Sequence, residues 1–259
     1  QALGLYVTIE NIDGDFARDR FGSKAAPIFK PVTYELFSDL GRDWKAYAGI
    51  YDLKTKATPE QWARVVEFAL LVSHGTEEEF AGRLPEFLDL EEYAAFVGGH
   101  VLLASYDGYL SNGQNFYLYL DPRSNKFGFI PWDQDHSWGE FGYVGTAEKR
   151  ETASIWKPGA YDNKFLRRVM KVEAFREVYR RKLEEALAGP FTVERLNREI
   201  DALAAGVPPA IAADSALRLE RFQLAISPHW VRGRRDGRSP DGPGAWPQAP
   251  APPTQRLPA

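Results

Sequence analysis

The chain has 259 residues, 44% hydrophobic and 26% charged, which allows a sizeable core and excludes wholesale disorder. Its net charge of -4, from 32 basic and 36 acidic residues, argues against the basic domain of a nucleic-acid binder. It holds no cysteine, so disulfides, zinc–thiolate centres and thiol nucleophiles are excluded.

In chain order, Leu5–Glu10 reads as a strand, Asn11–Gly14 as turn material and Phe16–Phe21 as a short helix closed by Gly22. Ile28-Phe29-Lys30 is a short strand ended by Pro31. Thr33–Lys56 has weak period and is the least readable part. Thr58-Pro59-Glu60-Gln61 is a capping box with proline at the first helical position. It opens a helix whose apolar stripe is Trp62, Val65, Val66, Ala69 and Leu70. Thr76 to Glu79 is a second box, and its helix is expected to stop near Pro85. Asp89 to Glu92 is a third, carrying Tyr93, Phe96, Val97, Val101 and Ala104 inward.

Tyr106–Gln114, with its Gly, Asn, Asp and Ser, reads as a loop. Phe116–Leu120 and Phe127–Ile130, joined through Pro122–Asn125, make a hairpin, and Pro131–Gly145 is a second acidic loop. Helices follow over roughly Asp162–Met170, Glu173–Ala188, Val193–Ala205 and Ala210–Ile226. From Pro228 onward the chain carries 8 of its 18 prolines and five arginines against two aspartates, so residues 227–259 read as a disordered tail beyond a folding unit of residues 1–226. The apolar stretches near Phe68–Val72 and Val97–Ala104 are too short for a transmembrane segment, and no basic-then-apolar signal opens the sequence. The order of elements predicts an α+β architecture with segregated helices.

A hairpin brings its two ends together, so the loop before its first strand lies near the loop after its second. Asp107, Asn112, Asn115, Asp133 and Asp135 can therefore converge, and such carboxylate and amide oxygens suit a hard cation. The same layout describes a protein-kinase centre, in which one Asp accepts the substrate hydroxyl proton, an Asn holds metal, and a second Asp after a short hairpin binds the metal that bridges the phosphates. Asp107 to Asn112 spans the kinase interval of five residues, whereas Asn115 directly precedes the strand, and spacing does not choose between them. His74, His100, His136 and His229 show no ligand spacing. Trp132, Trp138, Tyr117 and Tyr119 read as packing around the site, and the Arg232–Arg238 run as a solvated tail.

Three stretches resemble the CotH family of atypical protein kinases: Gly4 to Asp13 with Phe16, Ile28-Phe29-Lys30, and the run from Asp107 through Asn115 to Tyr119 followed by Phe129-Ile-Pro-Trp-Asp133-Gln-Asp135 and Gly139. The resemblance implies an atypical kinase-like fold with a helical C-terminal lobe and an ATP-dependent Ser/Thr protein kinase using Mg2+ or Mn2+. It implies Asp107 as catalytic base, Asn112 or Asn115 with Asp133 and Asp135 as metal ligands, and Glu10 and Lys30 on the nucleotide. It further implies a protein substrate with a Ser or Thr acceptor and a spore-coat or extracytoplasmic setting. The family has more chain before the Gly-x-Tyr strand, so the resemblance implies an incomplete N-terminal lobe. Two alternatives follow: an inactive pseudokinase or scaffold, and a metal-dependent nucleotide-sugar transferase using Asp133-Gln-Asp135.

Overall fold

Capping chemistry fixes most of the helices in the structure, a computed structural model that describes residues 9–206. In α1 (Gly14–Phe21), Asp13 accepts from the amides of Asp15 and Phe16, and Gly22 ends the helix at φ 73°, a conformation that glycine adopts without steric cost. Short β1 (Ile28–Phe29) follows. α2 (Lys45–Tyr51) lies in the stretch of weak period; it has no side-chain cap and is anchored by the buried Tyr47 and Tyr51. The Tyr51 hydroxyl accepts from the Phe37 amide at 3.0 Å. In α3 (Pro59–His74) both halves of the capping box form, with Thr58 Oγ1 accepting from the Gln61 amide at 3.4 Å and Gln61 Oε1 from the Thr58 amide at 2.8 Å. Its buried stripe includes Phe68 in addition to Trp62, Val65, Val66 and Ala69, while Leu70 is half-buried.

α4 (Glu77–Phe87) continues through Pro85 instead of stopping there. Proline in the last turn removes one amide donor. Burial of Leu84 and Phe87 holds that turn, and the Leu88 amide still reaches the Leu84 carbonyl at 3.0 Å. α5 (Leu90–Leu102) is capped by Asp89 and buries Tyr93, Phe96, Val97 and Val101 as expected. After the hairpin come α6 (Ala147–Glu151), too short and too near the glycine-rich loop to be read from period, α7 (Lys164–Val169), α8 (Glu173–Ala188) and α9 (Val193–Gly206).

β2 (Phe116–Leu120) and β3 (Phe127–Pro131) form the expected hairpin, and β1 adds to β2 in an antiparallel sheet of order β1-β2-β3. The register pairs Phe29 with Leu118 and Leu118 with Phe129, which puts these residues on one face, against the main core built from α2 to α5, α7 and α8. Ile28, Tyr117, Tyr119, Ile130 and Trp132 occupy the opposite face, covered by Phe16, Ala17 and Phe21 of α1. The segment after α2 also pairs with β1, through the Lys30 amide to the Asp52 carbonyl at 3.0 Å and the Lys54 amide to the Ile28 carbonyl at 2.8 Å.

The helices lock to one another by two devices. Gly98 of α5 faces Leu183 and Tyr179 of α8, where a Cβ would stand at contact distance, 3.4 Å from the Leu183 side chain. Buried Arg168 of α7 donates to the carbonyls of Leu71, Val72, Gly75 and Thr76, satisfying acceptors at the end of α3. The architecture is α+β, as expected. Ile9 and Glu10 are not in a strand, and the rest of the predicted Leu5–Glu10 strand, the predicted Ala210–Ile226 helix and the 227–259 tail lie outside the described residues. Among the described residues no helix is long and apolar enough to cross a membrane.

Candidate functional site

The loop between α5 and β2 folds around one carboxylate. Asp107 Oδ1 accepts from Asn112 Nδ2 at 2.9 Å and from Gln114 Nε2 at 2.8 Å. Asn115 Nδ2 donates to the Asp107 backbone carbonyl at 2.7 Å. Carboxylate and carbonyl oxygens only accept, so both asparagine amides are oriented with nitrogen toward Asp107 and their side-chain oxygens turned away. Asn112 Oδ1 is buried and has no hydrogen-bond partner among the described residues. Gln114, to which sequence reasoning gave no role, thus helps fix Asp107. Asp107 itself is half-buried, with Oδ2 unbonded among the described residues.

Gly113 sits inside this loop at φ 67°, and its carbonyl accepts from the Thr33 amide at 2.9 Å. A Cβ at Gly113 would stand 2.1 Å from the Thr33 carbonyl oxygen. Only glycine fits a site that combines that φ with such close backbone contact. The loop is therefore pinned to the segment leaving β1.

The hairpin delivers the second acidic loop to the first. The Trp132 amide donates to the Asn115 carbonyl at 3.0 Å, and the chain turns into left-handed conformation at both Asn115 (φ 55°) and Asp133 (φ 49°). Asp133 is exposed just beyond this junction, without an ion pair among the described residues. Lys30 reaches the same place from β1. Its Nζ lies 4.7 Å from the Tyr117 ring centroid and 5.1 Å from that of Trp132, a cation–π arrangement. Burial, and the nearby charge of Lys54, lower the Lys30 pKa, while Asp133 and Asp52 act to raise it. Tyr117 and Trp132 pack against each other edge-on, as expected of packing residues, but they also carry Lys30.

The structure thus brings together Asp107, Asn112 and Asn115, and sets Asp133 and Lys30 beside them. It does not bring Glu10 or Asp135 to the cluster by any contact among the described residues. Glu10 is exposed and paired with Arg20 of α1 at 2.8 Å. Asp135 is exposed. His136 is exposed and stands near Phe141.

Among the described residues no group of three or more His, Cys, Asp or Glu side chains could hold a metal ion. A cation here would be held by mixed carboxylate and amide oxygens completed by water, which is the habit of magnesium. Asn112 Oδ1, buried and unpartnered beside Asp107, fits that donor set.

Behind the loop, buried His100 in the last turn of α5 shares a hydrogen bond with the Phe96 carbonyl at 2.9 Å. A carbonyl only accepts, so Nδ1 carries the proton. Nε2 is buried without a partner, and burial pushes the pKa down to about 4. The ring is bonded within its own helix and packs against Phe96, a structural role in keeping with its lack of ligand spacing, while the His100 backbone carbonyl separately accepts from the Ser105 amide at the entry to the Asp107 loop. An unfolded histidine titrates near pH 6.5. Its folded pKa is lower, so the unfolded chain binds the extra proton as pH falls from 6.5 to about 4. Stability is expected to drop through that window, by up to about 3 kcal/mol from this group. Urea unfolding near pH 7 and near pH 4.5 should show a smaller loss for His100→Leu than for the parent; equal losses would contradict the assignment.

A family model described as CotH kinase protein matches residues 1–222. The chain is also similar to the inner spore coat protein H of Bacillus subtilis (strain 168), at 26% identity over 225 residues, which covers 85% of this chain and 60% of that protein. The matched region is therefore well short of that relative's whole length.

Proposed function

The chain belongs to the CotH kinase protein family, and from this premise we propose that it transfers the γ-phosphate of ATP to a Ser or Thr hydroxyl of a protein, on an atypical kinase-like fold. The observation that carries the reading is the held carboxylate: two side-chain amides occupy Asp107 Oδ1, and Oδ2 is left for a substrate hydroxyl. In the proposed step the acceptor oxygen attacks the γ-phosphorus in line, Asp107 takes its proton, and ADP leaves. A bound magnesium ion would supply charge neutralisation on the phosphates. Asp133 would hold it, with Asn112 Oδ1 or Asn115 and Asp135 as further oxygen donors.

Lys30, held over the Tyr117 and Trp132 rings and within reach of the charge of Asp133, would meet a phosphate of the nucleotide. Glu10 would serve the nucleotide only after releasing Arg20. The likeness to a spore coat protein supports a coat-protein substrate and a spore-coat setting. The test is incubation of the chain with labelled ATP, magnesium or manganese and a Ser-rich protein. Label on Ser or Thr is the expected result. ATP binding without transfer would favour a pseudokinase. Stabilisation by nucleotide sugars but not ATP would favour a sugar transferase, and either result would overturn the proposal.

A further inference from the structure

The outer face of the sheet carries a second cation that the sequence left unread. The pairing of Phe29 with Leu53 puts both residues on the core side, so their neighbours Lys30, Asp52 and Lys54 project to the other face. Tyr117 and Trp132 lie on that same face. Backbone bonds hold the segment, from the Lys30 amide to Asp52 and from the Lys54 amide to Ile28. Lys54 Nζ pairs with Asp52 Oδ2 at 2.6 Å.

That placement agrees with the electrostatics: after burial, the charge of Lys54 is the next cause that lowers the Lys30 pKa, and the same charge opposes the upward push of burial on the Tyr117 phenol. Like charges sharing one face of the sheet repel each other unless an anion joins them. Asp52 offsets part of that repulsion. Asp52 is also held at φ 37°, in the left-handed region, where a non-glycine residue is strained.

We infer that Lys54 is a phosphate-binding residue, which with Lys30 forms the cationic half of a polyphosphate site facing Asp133, and that Asp52 is the counter-charge it leaves when the phosphates bind. This rests on the ATP-dependent reading above and adds a residue and an exchange of ion-pair partners to it. The alternative is an ordinary partly exposed salt bridge, worth little to anything.

The two accounts differ in the sign of one effect. If Lys54 meets phosphate, Lys54→Met weakens binding of ATP about ten- to a hundredfold, the range for losing a hydrogen bond to a charged group. Asp52→Asn then tightens it, because a competing anion is gone. If the pair is only a salt bridge, neither change moves ATP affinity. The experiment is calorimetric titration of ATP, with magnesium present, into the chain and into Lys54→Met, Lys54→Arg and Asp52→Asn. Thermal unfolding of each variant shows that the fold is intact. The expected results are weaker binding for Lys54→Met, recovery of most affinity in Lys54→Arg and tighter binding for Asp52→Asn. Unchanged affinity in Lys54→Met, with the parent binding ATP, overturns the Lys54 assignment and leaves the kinase reading standing. Failure of the parent chain to bind ATP overturns both.

Discussion

Replacing Asp107 by Asn is expected to lower phosphoryl transfer by about a hundred- to ten-thousandfold, the usual contribution of a positioned general base. The substitution is chosen for what it keeps. An asparagine oxygen can still accept from Asn112 and Gln114, as Asp107 Oδ1 does, so the loop retains its hydrogen bonds. What it loses is the second oxygen: an amide nitrogen cannot take a proton from the acceptor hydroxyl. ATP affinity is expected to stay the same. Asp133→Ala should show the complementary pattern, with a large loss of magnesium-dependent ATP binding and little change in binding without the ion. Labelled transfer and calorimetry on the two variants separate the roles. Transfer retained in Asp107→Asn, or magnesium dependence retained in Asp133→Ala, would falsify the assignments.

The second large effect is expected at Gly113. Alanine there meets two penalties at once. Its φ of 67° is costly for any residue with a Cβ, and that Cβ would stand 2.1 Å from one backbone atom of Thr33 and 2.4 Å from the Tyr34 amide nitrogen. No rotamer relieves a clash with backbone, so the loop or the Thr33 segment must shift. The combined strain and overpacking should cost about 3 kcal/mol. In a chain of this size that lowers Tm by about 10 °C. Because Asn112 and Gln114 flank Gly113 and hold Asp107, the displacement should also reduce transfer more than it reduces ATP binding. A thermal melt matching the parent's would show that the crossing is looser than this geometry.

Where local chemistry decides structure, the sequence was readable. Thr58 with Gln61, Thr76 and Asp89 place three helix starts, because each supplies a side-chain acceptor to amides that no helix can satisfy internally. The hairpin was legible because aromatic-rich runs flank Pro122–Asn125. α2 was not, since it lacks a cap and is held by buried Tyr47 and Tyr51, whose hydroxyls accept from the Leu40 and Phe37 amides of the irregular segment before it. Pro85 misled for the same reason in reverse: tertiary burial outweighed one missing amide. At the site, the grouping of Asp107 with Asn112 and Asn115 followed from one loop and its hairpin. Gln114 was overlooked because a glutamine in a polar loop carries no signal by type. Lys54 was invisible because the weak period of Thr33–Lys56 assigns no faces; its pairing with β1 reveals which way it points.

The two-faced hairpin has an arithmetical consequence. Along β2 and β3 odd and even positions are assigned to different surroundings: Leu118 and Phe129 to the core, Tyr117 and Ile130 to the α1 side. Deleting one residue within β2 would reverse that parity and drive the Tyr117 ring inward in place of Leu118. Extending both strands by a matched pair next to the Pro122–Asn125 turn preserves parity and moves only the turn, at the end of the hairpin away from Asn115 and Trp132. The turn is thus the point of this ribbon where chain length can vary, or a reporter be inserted, without the chemistry registering it.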